Sequence, residues 1–173
     1  MEDINNDKDL RNGMFIEAKK IKTDSNYSAR RHFNTAAWFK NIHYITGILA
    51  TSLSAIAGTS IYFSHNISFG ISGFTALVSA VLIGSVTILG PGEHSNQNYY
   101  AGSDYLKLYK RVDYFINIDM NTLTTEEIKQ KLTKFRKTIS RLDSKYTILW
   151  TPRLAYIKAR KDIHNGSTDY EDW

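Results

Sequence analysis

The chain has 173 residues and no cysteine, which excludes a disulfide framework, thiolate metal sites and thiol catalysis. Its net charge of +5 comes from 22 basic and 17 acidic side chains spread through both flanks. Nucleic-acid binding needs a denser basic face interleaved with aromatics, so no nucleic-acid partner is expected. The mean hydropathy of −0.35 suggests a soluble protein only because polar flanks dilute residues 41–92, which contain no Lys, Arg, Asp or Glu.

Residues 1–12 are polar and read as a mobile tail. Met14, Ala18 and Ile21 then recur at helical spacing among charges, which predicts a short amphipathic helix. Thr23-Asp24-Ser25-Asn26 offers several N-cap residues and predicts a break. A long helix is expected from Tyr27 through Ala29, Phe33, Ala36, Ala37 and Lys40, continuing into the apolar region. The leading residues are polar and the first apolar run is long and late, so no secretory signal is read. The first span is expected to act as its own insertion signal.

The charge-free region falls into two segments, 42–63 and 67–89, joined by Ser64-His65-Asn66. Each is about 33–35 Å long as a helix, enough to cross a hydrocarbon core of roughly 30 Å. The short connection permits only a tight helical hairpin. The alternative is a buried soluble hairpin, whose helices run shorter and carry a polar face. Lys19, Lys20, Lys22, Arg30, Arg31 and Lys40 precede the first segment, and Lys107, Lys110 and Arg111 follow the second. The positive-inside rule then puts both termini in the cytoplasm and the connection on the far side. Trp38 and Tyr44 at one end, and Tyr62 and Phe63 at the other, suit interfacial belts. The sequon Asn66-Ile67-Ser68 lies too near the membrane to carry weight.

Both segments are rich in small and hydroxylated residues. Gly47, Ala50, Thr51, Ser54 and Gly58 share one side of the first. In the second, Ala76, Ala80 and Gly84 form a small-residue stripe, and Ser68, Ser72, Thr75 and Ser79 form a hydroxyl stripe. Small residues let helices approach closely in lipid. The hydroxyls either bond their own i−4 carbonyls and neighbouring helices, or line a water-filled pathway. One hairpin cannot enclose a pore, so the second reading requires a homo-oligomer. The absence of intramembrane charge argues against a proton-coupled pump.

Leu89-Gly90-Pro91-Gly92 ends the second segment. A helix follows with Tyr105, Leu108, Val112 and Phe115 on one face, and residues 117–122 read as its terminating turn. Thr124 and Glu127 form a capping box, flanked by Leu123 and Ile128 as a hydrophobic staple. The next helix carries Ile128, Leu132, Phe135, Ile139, Leu142, Tyr146 and Leu149, three heptads of a narrow seam. Its partner is either the Tyr105–Phe115 helix of the same chain or the same seam on a neighbouring subunit. Pro152 can start a last, basic helix through Ile163, carrying Arg153, Lys158, Arg160 and Lys161. That helix either packs on the bundle or lies on an anionic leaflet. Residues 164–173 read as a disordered acidic tail.

No repeat, nucleotide-binding fingerprint or P-loop is present. The five histidines lack ligand spacing, and seven of the fifteen serines sit in the apolar segments. No catalytic residue, cofactor or metal is expected.

The helix from Ala29 to Trp38, Ala-Arg-Arg-His-Phe-Asn-Thr-Ala-Ala-Trp, leads directly into a two-span hairpin followed by cytosolic helices. This layout resembles the SLATT domains, two-transmembrane effectors associated with bacterial nucleotide-based conflict systems. The aromatic-basic Tyr105–Arg111 segment and the late 150–162 helix are similar to that family too. The likeness covers residues 13–163, as cytosolic helices 13–40, a transmembrane hairpin 41–90 and a cytosolic helical region 93–163. It implies an all-α protein of the bacterial inner membrane that oligomerises into a pore and permeabilises the membrane in anti-phage defence. It also implies triggering by a sensor or nucleotide signal, and growth arrest or death of the infected cell. No catalytic residue carries over. Fused effectors of this kind carry a sensor domain and none is attached here, so a separate protein encoded nearby, or a ligand of the cytosolic helices, is expected to supply the signal. Two other classes stay open: a non-conducting anchor that recruits a cytosolic partner through the 128–149 seam, and a transport or envelope-maintenance subunit.

Overall fold

Glycine, proline and one capping box divide the chain into helices. The computed structural model describes residues 2–63 and 69–164, with side chains over 7–59 and 73–163. Its elements are α1 (Glu2–Phe63), α2 (Phe69–Leu89), α3 (Pro91–Tyr114), a π-helical turn (Phe115–Asp119), the single turn α4 (Met120–Thr122), α5 (Thr125–Tyr146) and α6 (Arg153–His164). No strand occurs among the described residues. The expected sequon, the inter-helix connection and the acidic tail from residue 165 lie outside them.

Two of the predicted interruptions do not exist. Residues 2–12 are the first turns of α1, not a separate tail. Arg11 donates from Nε to Thr125 Oγ1 at 3.1 Å and from its guanidinium to the Leu123 carbonyl, while Thr125 Oγ1 donates to Asp7 Oδ1 at 2.7 Å. The start of α1 is thereby tied to the start of α5. The break at Thr23-Asp24-Ser25-Asn26 is also absent, because α1 runs through it. Ser25 is fully buried and donates its hydroxyl to the Ile21 carbonyl at 2.7 Å, so the side chain that would cap a helix is satisfied inside one.

The predicted stops near Gly90 and Thr124 are present. Gly90 takes φ +52°, the left-handed conformation that favours glycine after a helix, and its N–H bonds the Val86 carbonyl at 3.1 Å. Pro91 opens α3, where its missing N–H costs no intrahelical bond. Thr124 is extended, its N–H reaches Glu127 Oε2 at 2.9 Å, and the capping box is complete. Residues 117–122, read as a turn, instead continue helically through the π-helical turn and α4, and the chain leaves the helix at Leu123.

The residues divide into two units, 36–96 and 1–35 with 97–173; α1 and α3 contribute to both. In the larger unit, Met14, Ala18, Ile21 and Ala29 of α1 form one core with Tyr105, Leu108 and Val112 of α3, Phe115 and Ile116, and Ile128, Leu132 and Leu142 of α5. These positions follow heptad-like spacing on three helices, which is the geometry of a bundle. Ala155 and Ala159 are the buried face of α6. Ion pairs rim this unit, among them Lys22–Asp113, Lys131–Asp119, Arg136–Glu17, and Lys107 and Lys145 with Asp104. They are at least partly exposed and each adds little stability.

Candidate functional site

In the 36–96 unit, Ala50 is the one residue of the small row on α1 that is buried. Ala50 and Ala57 are buried and Ile42, Thr46 and Leu53 are half-buried, at spacings of three and four residues. On α2 the corresponding face is Thr75, Val78, Ser79 and Leu82. Ser79 is the polar centre of this contact: it is 2% exposed, donates to the Ala50 carbonyl at 2.8 Å and shares a short hydrogen bond with Ser54. The hydroxyl stripe is therefore split. Ser79 is enclosed and Thr75 half-buried, while the side chains of Ser68 and Ser72 lie outside the described residues.

The remaining small residues are open. Gly47, Thr51, Ser54 and Gly58 form one exposed row on α1, and a side chain added at Gly47 or Gly58 would meet nothing within 4 Å. On α2, Ala76 and Ala80 are exposed, Gly84 is half-buried, and Gly73 and Gly84 have the same empty surroundings. Around these rows the exposed side chains are large and apolar: Tyr44, Ile45, Ile48, Leu49 and Ile56 on α1, and Phe74, Leu77, Val81, Ile83 and Ile88 on α2. Four hydroxyls here are locally satisfied: Thr51, Thr59, Ser85 and Thr87 each donate to their own i−4 carbonyl at 2.8–2.9 Å. Two helices are long and apolar enough to cross a membrane, and their apolar windows are only 11% and 6% buried, unlike the core helix of a soluble protein.

The 128–149 seam finds its partner inside the chain. Ile128, Leu132 and Leu142 are buried in the core, and Phe135, Ile139 and Tyr146 pack against it from its edge. Of the two partners expected, the Tyr105–Phe115 helix is used, together with the Met14–Ile21 stretch. Leu149 lies past the end of α5, half-buried, its N–H bonded to the Tyr146 carbonyl at 3.0 Å.

Sequence reasoning passed over a buried polar group in this unit. His32 is 1% exposed, and its Nδ1–H donates to Asn98 Oδ1 at 2.8 Å. Its ring stacks on Tyr105 at 5.7 Å and 9° and lies 6.1 Å from Tyr146. Tyr105 donates to Asp143 at 2.7 Å and Tyr146 to Asp104 at 2.6 Å. Burial, and then the Asp143 acceptor, raise the Tyr105 phenol; the Tyr146 hydroxyl holds the Asp104 carboxyl below its usual range. The legible signal was register, because Ile21, Ser25 and His32 share a face of α1. Among the described residues, no group of three or more His, Asp or Glu is placed to hold a metal.

Burial lowers the His32 pKa below its usual 6.5, and the nearby Arg31 charge adds to the effect against the Asn98 bond. As pH falls below 6.5 the unfolded chain gains a proton that the folded state resists, so stability is lost on acidification through that range. Thermal melts between pH 7.5 and 5.5 should show a steeper loss for the wild type than for His32→Gln. Parallel slopes would remove His32 from the effect.

No family model, curated protein or solved structure matches this chain.

Proposed function

We propose that the chain is a two-span protein of the bacterial inner membrane, with both termini cytoplasmic, that assembles into homo-oligomers and permeabilises the bilayer. The observation that carries this reading is the pair of open faces on α1 and α2. They combine exposed large apolar residues with glycines that no described residue packs against. Glycine inside a helix costs roughly 1 kcal/mol against alanine, and in lipid that cost is offset where another helix approaches closely. The Ala76, Ala80 and Gly84 row suits contact between subunits, and the Gly47, Thr51, Ser54 and Gly58 row suits a weakly polar lumen. Ser79, enclosed between α1 and α2, packs the hairpin rather than lining a path. The resemblance to SLATT domains supports a defence role, with a separate sensor or a nucleotide signal as trigger.

A second reading, a non-conducting anchor, draws on the back-bonded hydroxyls, which leave few free polar groups on the exposed faces. Membrane potential and dye entry in bacteria expressing the chain with its genomic neighbours separate the two. Permeabilisation predicts depolarisation that Gly58→Leu and Thr51→Leu abolish without preventing insertion. Full potential under every trigger, with inserted protein, leaves the anchor.

A further inference from the structure

A cavity of about 670 Å³ opens in the larger unit between α1, α5 and α6. That volume lies within the roughly 300–1,000 Å³ usual for small-molecule sites. Arg31 and Arg160 both line it, and neither forms an ion pair among the described residues. Arg31 Nε is buried without a hydrogen-bond partner. A guanidinium N–H removed from water and left without an acceptor is a donor that an anion would satisfy, and the planar fork it belongs to matches two oxygens of a phosphate. Tyr27 and Tyr156 supply aromatic wall. Asp24 and Asp143 also line the cavity, and Asp143 Oδ1 already accepts the Tyr105 hydroxyl. A bare anion would face these two carboxylates unfavourably, whereas a ligand carrying hydroxyl groups beside its anionic end would satisfy them.

We propose that this cavity binds a phosphate monoester of a hydroxylated small molecule. Arg31 and Arg160 hold the phosphate, Tyr27 and Tyr156 flank the body, and Asp24 and Asp143 accept its hydroxyls. The same phosphate chemistry is offered by soluble metabolites and by anionic lipid head groups. The site is independent of whether the apolar helices conduct.

The test uses the full chain in maltoside micelles, which carry no phosphate. Calorimetric titration compares glucose 6-phosphate and AMP with glucose and adenosine, and includes inorganic phosphate. At least one ester should saturate about tenfold more tightly than its unphosphorylated parent and than inorganic phosphate, a charge-assisted difference. Arg160→Ala should remove that preference; the side chain is exposed, so the variant will fold even if Arg31→Ala does not. Repeating the titration in phosphatidylcholine nanodiscs with and without phosphatidic acid assigns the source. Competition by the lipid indicates a head group and its absence a soluble ester, and both results retain the phosphate site. Parents binding as tightly as esters, no saturable binding by any ester, or an Arg160→Ala variant with unchanged preference would overturn it.

Discussion

Replacing Phe115 by alanine should destabilise the larger unit by about 3–5 kcal/mol. The ring is fully buried, meets Phe135 edge-on at 5.3 Å, and lies on the π-helical turn where α3 gives way to α4. Core residues of α1, α3 and α5 surround it, so the cavity left by truncation has no flexible loop to collapse into it. Chemical denaturation followed by circular dichroism in micelles is the check, with Phe74→Ala, an exposed position on α2, as the control. A loss below about 1 kcal/mol would place Phe115 outside the cooperative core.

Gly102→Leu is the second large effect. A Cβ at this position would stand 2.9 Å from two atoms of the Phe33 ring and 3.1 Å from the Ala29 carbonyl oxygen. The ring can turn, but the carbonyl belongs to the α1 backbone and cannot move without shifting the helix. Overpacking of this kind costs about 1–3 kcal/mol, and the fixed obstacle puts leucine at the top of that range. Gly102→Ala brings the same Cβ against Phe33 and the Ala29 carbonyl, but none of leucine's further atoms, and about 1 kcal/mol of helix propensity offsets part of its cost. The expected order in thermal melting is wild type, then alanine, then leucine well below. Leucine melting with wild type would mean that α1 and α3 do not cross so tightly.

The helix boundaries set by backbone chemistry were the legible part of the fold. Gly90-Pro91 and the Thr124–Glu127 box act through residues a few positions apart, so local sequence states them fully. The Ile128–Tyr146 seam was legible for the same reason, although its choice of an internal partner was not, because that depends on what α1 and α3 present. The missed features depend on tertiary surroundings. Ser25 and Asn26 are side chains that end helices when water solvates them, yet both are buried within α1. The start of α1 persists because Arg11 and Asp7 reach α5, more than a hundred residues away in sequence. Gly102 carries no motif; only the approach of Phe33 and Ala29 explains it.

At the candidate site, composition identified the small and hydroxylated rows but not which of them face a neighbour. The first apolar segment has Ala50 on the same broad side as Gly47 and Gly58, and period alone cannot tell an inward alanine from an outward glycine. The pairing of Ser79 with Ser54 and the Ala50 carbonyl decides it, leaving the glycines outward. The larger unit likewise hides its polar centre at His32, which follows the basic Arg30 and Arg31 in sequence and is buried all the same.

The central claim is that α1 and α2 form a membrane hairpin with both termini inside. The chain has no cysteine, so single cysteines can be introduced at Ser64 and at Gly166 without removing any native thiol. Labelling of intact and lysed bacterial spheroplasts with a membrane-impermeant maleimide is the most direct measurement. The cysteine at 64 should be labelled from outside in intact cells and that at 166 only after lysis. Labelling of both only after lysis, with the chain in the soluble fraction, would contradict it.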